Sequence, residues 1–119
     1  MILLVEDEAN ARQLFARILS KAGHQVMEAG DGEEALALLK GHGGFELVVS
    51  DLAMPKLSGF KLVDQIRANW PKTKILLISG YPQEDTARLL LNKGVEFLCK
   101  PIDSTELIVR VNHLAPKVH

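Results

Sequence analysis

The sequence predicts an α/β fold: a doubly wound parallel sheet of five strands with helices on both faces. Three observations predict it. Four short apolar runs (Ile2-Leu3-Leu4-Val5, Leu47-Val48-Val49-Ser50, Ile75-Leu76-Leu77-Ile78 and Phe97-Leu98-Cys99) are continuous rather than alternating, as strands buried on both faces are. Stretches of helical period lie between such runs, giving the order strand-helix five times over. Gly and Pro punctuate the joins, and no Ser-rich or low-complexity linker interrupts them.

The elements follow in order. After the first strand, a helix over about 9–22 places Leu14, Phe15, Ile18, Leu19 and Ala22 on one flank, and Gly23 ends it as a C-terminal cap. His24 to Glu28 reads as the second strand. Asp31-Gly32-Glu33-Glu34 resembles a capping box and opens a helix to about Lys40, followed by a turn at Gly41-His42-Gly43-Gly44. Leu47–Ser50 forms the third strand; a loop with Pro55 and Gly59 and a helix carrying Leu62, Val63 and Ile66 come next. Pro71 precedes the fourth strand, a fourth helix spans about 83–93, and Gly94 closes it. The last strand occupies about 95–99, and a fifth helix from Asp103 carries Leu107, Ile108, Val111 and Leu114.

A chain of 119 residues is long enough for one core, so residues 1–119 are expected to form a single domain. Lys and Arg (14) nearly balance Asp and Glu (15), with no block of like charge, which argues against direct nucleic-acid binding. One cysteine excludes an internal disulfide and suits a reducing compartment. Cys99 lies in an apolar run and is expected to be a buried, inert thiol. The start lacks a basic region and an apolar stretch long enough for a signal peptide or membrane insertion, so a soluble, cytoplasmic chain is expected.

Each apolar run ends in a polar residue: Glu6-Asp7, Asp51, Ser79 and Lys100. Ligands of open α/β sheets sit outside the carboxyl ends of the strands, so these side chains gather in one crevice. Two carboxylates about 4 Å apart repel by roughly 4 kcal/mol at an effective dielectric near 20, and a third worsens this. A hard divalent cation relieves it; Mg²⁺ takes one or two carboxylates, keeps waters and accepts phosphate oxygens. Asp51 is then a candidate nucleophile that receives a phosphoryl group, with Lys100 as cation and Ser79 as hydroxyl donor. Blander readings exist for each. Glu6 and Asp7 could cap the first helix, favoured by its dipole, and taken alone that reading is the better one. Ser79 could cap the following helix, and Lys100 could be a surface residue, though Pro101 fixes the backbone just beyond it. Agreement among four strand ends decides for the site.

These residues resemble a family. Leu3-Leu4-Val5-Glu6-Asp7-Glu8, the segment from Val48 to Gly59 with Asp51 near its start, Ile78-Ser79-Gly80 and Cys99-Lys100-Pro101 look like the signature segments of the response-regulator receiver domain of two-component signalling. The resemblance runs from Ile2 to about Leu114. It implies a flavodoxin-like (βα)5 fold and phosphorelay signal transduction. Asp51 matches the phosphoacceptor, with Ser79 and Lys100 contacting the phosphoryl group. Asp7 and Asp51 match direct Mg²⁺ ligands, Glu6 acts through a water, and the backbone carbonyl of Ala53 is a further ligand. A cis Lys100-Pro101 bond is implied, and Phe97 falls at an aromatic switch position. Switching is expected on the face of the fourth helix, fifth strand and fifth helix, where Leu89, Leu90 and Leu91 cannot all turn toward one core. The implied phosphodonor is a histidine kinase or a histidine phosphotransfer domain, and a phosphorylation-dependent dimer is compatible with the pattern.

Three positions depart from the commonest form: Glu6 for Asp, Ser79 for Thr, and Phe97 for Tyr. The first two keep their function, and the third removes a phenolic hydrogen bond from switching. By the same resemblance, the residues two beyond Asp51 and Ser79, Ala53 and Tyr81, are expected to flank the path of an attacking water; neither is an acid or amide, so slow loss of phosphate is expected. An FMN binder fits poorly, because Glu6-Asp7-Glu8 would repel the cofactor's phosphate. A small metal-dependent phosphatase with an aspartyl-phosphate intermediate is the alternative, weakened because Ala53 cannot serve as general acid. His24, His42, His113 and His119 are scattered and make no metal-ligand pattern. Ser79-Gly80-Tyr81 is similar to receivers fused to sensor kinases; a stand-alone receiver and one from a hybrid kinase, at the cytoplasmic face of a membrane, fit equally.

Overall fold

The computed structural model describes residues 1–52, 59–80 and 95–116. Its elements are β1 (Ile2–Val5), α1 (Ala9–Lys21), β2 (Val26–Ala29), α2 (Gly32–His42), β3 (Leu47–Asp51), α3 (Gly59–Asn69), β4 (Lys74–Ser79), β5 (Val95–Cys99) and a C-terminal helix (Ser104–Leu114). The helix expected over about 83–93, with Leu89, Leu90 and Leu91, lies outside the described residues, as do Ala53, Pro55 and Tyr81.

The five strands form one parallel sheet in the order β2-β1-β3-β4-β5. Strand order reverses between β1 and β3, and that reversal opens the crevice at their carboxyl ends. Alternation of side chains splits each central run between two cores. Leu3, Val5, Val48, Ile75 and Leu77 pack with Ala35 and Leu39 of α2 and Leu62, Val63 and Ile66 of α3. Ile2, Leu4, Leu47, Val49, Leu76, Ile78 and Leu98 pack with Ala16 and Leu19 of α1 and Leu107, Val111 and Leu114 of the C-terminal helix. Every residue of β1 and β3 is therefore buried, while β2 and β5 at the edges are only partly covered.

Local chemistry sets the boundaries. Gly23, at φ 97°, turns the chain out of α1; its amide donates to Ser20 O at 3.0 Å and the His24 amide to Leu19 O at 3.1 Å. This double closure satisfies carbonyls of the last turn. It also engages His24 in the helix exit, so β2 begins at Val26 rather than His24. Asp31 caps α2 by accepting from the Glu34 amide at 2.8 Å, as its sequence suggests. The return arm is displaced by one residue, since Glu34 Oε2 accepts from the Gly30 amide at 3.1 Å. Asp103 caps the C-terminal helix through the Thr105 amide at 2.7 Å.

Cys99 is exposed, not buried. It ends β5, where only one neighbouring strand gives cover, and an apolar run at a sheet edge does not bury its terminal residue. Among the described residues, no helix is long and apolar enough to cross a membrane.

Candidate functional site

The carboxyl ends of β1, β3, β4 and β5 bring most of the expected residues together. Glu6 follows β1 and is buried; Asp51 is the last residue of β3 and is buried; Ser79, also buried, ends β4; Asp7 and Lys100 are exposed. Register does the positioning: Val5 pairs with Ser50, Asp51 with Ile78, and Ser79 with Cys99, so each polar residue stands at or just beyond the last rung. The amide of Lys100 donates to Ser79 O at 2.8 Å, which fixes the lysine beside β4, and the Lys100-Pro101 bond is cis.

Carboxylate oxygens of Glu6, Asp7 and Asp51 lie within 4.8 Å of one another. Lys100 Nζ reaches Asp51 Oδ2 at 2.7 Å. This contact removes the reading of Lys100 as a mere surface residue. The helix-cap reading of the acids is also settled: Glu8 caps α1, accepting from the Asn10 amide at 3.1 Å and the Ala11 amide at 2.8 Å. Glu6 instead accepts from the Asp7 amide through Oε2 at 3.1 Å.

The electrostatics follow from this packing. Burial pushes the Glu6 carboxyl up to about 7, helped by the charge of Asp51, a hydrogen bond with Asp51, and the charge of Asp7, against an opposing pull from Lys100. The Lys100 ammonium is raised by its hydrogen bond to Asp51, against burial, with the charges of Asp51, Glu6 and Asp7 adding to the rise. A concentrated negative pocket faced by the Lys100 ammonium results. The donor set is all oxygen, partly buried and open on the Asp7 side, which suits a hard divalent cation that keeps some of its waters. Glu6, Asp7 and Asp51 would hold such an ion, and bound there it would supply positive charge to the oxygens of an incoming phosphoryl group.

Phe97 is half-buried on β5 and packs against the core shared with α2 and α3. Ala53 and Tyr81 lie outside the described residues. Sequence reasoning missed Arg12, whose Nη1 donates to the Glu6 carbonyl at 2.8 Å. The available signal was a basic residue in the first turn of a helix, where the dipole disfavours positive charge.

Comparison with known proteins agrees with this geometry. A family model described as the response regulator receiver domain matches residues 2–112. The sensor kinase CckA of Brucella abortus is 36% identical over 118 residues, covering 98% of this chain but 12% of that protein. A response regulator receiver domain protein from Clostridium thermocellum superposes with a TM-score of 0.89 at 28% identity, covering 95% of this chain and 91% of that one. The receiver domain of the hybrid histidine kinase CckA superposes with a TM-score of 0.81 at 38% identity, covering 95% and 96% of the two chains.

Proposed function

This chain belongs to the response regulator receiver domain family, and on that premise we propose that Asp51 accepts a phosphoryl group in a Mg²⁺-dependent reaction. Receiver domains of this family act in two-component phosphorelay signalling, and a free-standing phosphatase is not the favoured reading. The observation that carries the assignment is the convergence of Asp51, Glu6, Asp7 and Lys100 at one sheet edge, with the Lys100-Asp51 contact at 2.7 Å.

The proposed step is attack by an Asp51 carboxylate oxygen on the phosphorus of a phosphohistidine. A P–O bond forms, the P–N bond breaks, and the imidazole leaves and takes up a proton. Lys100 then turns from Asp51 to an oxygen of the transferred group, and the Ser79 hydroxyl donates to another. Asp7 and Asp51 would hold the cation directly and Glu6 through a water, with the Ala53 carbonyl as the further ligand that family resemblance implies. The donor is a histidine kinase or histidine phosphotransfer domain, and the chain works in the cytoplasm or at the cytoplasmic face of a membrane. It spans about an eighth of the Brucella sensor kinase, so the activity of a larger protein containing it follows from that likeness only by analogy. Rearrangement of Phe97 and the β5 surface is the proposed readout, with pairing of two phosphorylated copies as one form it can take.

Incubation with acetyl phosphate and Mg²⁺ should add one phosphoryl group per chain, measured by intact mass. Asp51→Asn should abolish the addition, and excess chelator should suppress it. Labelling that survives either treatment would overturn the assignment.

A further inference from the structure

We infer that Arg12 is a positioning residue for the cation site: its guanidinium holds the backbone of Glu6 so that the Glu6 and Asp7 carboxylates converge on Asp51. The inference deepens the phosphoacceptor reading and rests on it.

The turn that carries the acids leaves β1 at its last rung, where Val5 pairs with Ala29 and Ser50. The Glu6 amide still donates to Ala29 O at 3.0 Å. Its carbonyl takes a hydrogen bond from outside the sheet, from Arg12 Nη1 at 2.8 Å. Glu6 is thus held through both its amide and its carbonyl. Arg12 itself is fixed in α1, where its amide donates to Glu8 O at 2.9 Å while the Glu8 carboxylate caps the helix. The chain from Glu6 to Arg12 is therefore closed into a ring, and the two metal-facing acids lie inside it. From β2, Glu28 Oε1 stands 3.5 Å from Arg12 Nε and steers the guanidinium. Gly30 leaves it room: a Cβ at that position would lie 3.3 Å from Arg12 Nη1, tighter than ordinary van der Waals contact.

Three converging carboxylates repel one another, so their turn needs an external restraint to stay convergent. A guanidinium suits that task because it is planar and keeps its charge across the whole working pH range. Its place in the first turn of α1, against the helix dipole, is accounted for by this contact. Outer partners of this kind orient the groups that touch a metal and commonly set its affinity.

The test is titration calorimetry of Mg²⁺ into chelator-treated wild type, R12A, R12K and G30A, with the metal-free melting temperature recorded for each. The Mg²⁺ affinity of R12A should weaken by about tenfold. R12K should recover part of the loss, because an ammonium can reach the carbonyl but cannot engage Glu28 at the same time. G30A keeps the arginine but crowds it, and should also bind Mg²⁺ more weakly. A purely structural role predicts lower melting temperatures with wild-type Mg²⁺ affinity, and that result overturns the inference. Should R12A not fold, R12Q is titrated in its place, and wild-type affinity there overturns the inference equally. Failure of the wild type itself to bind Mg²⁺ would instead overturn the site reading on which the inference rests.

Discussion

In the absence of a divalent cation, the Glu6 carboxyl holds a proton up to about pH 7, well above the ordinary glutamate value of 4.5. Burial is the main cause, and the Asp51 charge the next. A folded-state value above the unfolded one means that folding takes up a proton between the two. This contribution is complete below the ordinary value and is lost as pH rises through about 7. The urea midpoint of metal-free protein should therefore fall as pH rises from 4.5 through about 7. Glu6→Gln carries a neutral side chain throughout and should flatten the profile. An equally steep profile in that variant would assign the titration to another group. The residue scale is also where the sequence spoke most clearly. Glu6, Asp51, Ser79 and Lys100 were legible because a polar residue closing a buried run has few structural reasons to be there. Arg12 was not, because a basic residue near a helix start marks only an unfavourable dipole position and does not say that its side chain reaches back to the Glu6 carbonyl.

Elements were legible where one local rule governed and blurred where two competed. Continuous apolar runs fixed β1, β3 and β4 to within a residue, since burial on both faces leaves no other reading. The start of β2 moved because helix exit and strand entry compete for His24, and the exit wins by satisfying the Leu19 carbonyl. Cys99 was misjudged because hydrophobic runs report residue type, whereas exposure at the end of an edge strand reports neighbours. The α1 exit itself yields a prediction. Gly23 sits at φ 97°, a region that a side chain strains. Gly23→Ala should destabilise the protein by about 1 kcal/mol in urea unfolding, while leaving Mg²⁺ affinity unchanged. An unchanged midpoint would mean that the turn relaxes at no cost.

Over the whole molecule, a cation held by the Glu6, Asp7 and Asp51 oxygens would couple to folding, because those oxygens converge only when β1 and β3 are paired. A ligand bound only by the folded state stabilises it by about 2.7 kcal/mol at a hundred times its dissociation constant. Mg²⁺ should accordingly raise the urea midpoint in a concentration-dependent way, and Asp7→Asn should remove most of that rise. A midpoint indifferent to Mg²⁺ in the wild type would place the ion elsewhere. Lys100 and Asp51, joined at 2.7 Å, stand 49 positions apart along the chain, and the lysine directly follows β5, the last strand to be synthesised. A nascent chain that has emerged only as far as β4 therefore carries Asp51 without Lys100. The Lys100-Asp51 pair can therefore close only after every strand of the sheet has been made.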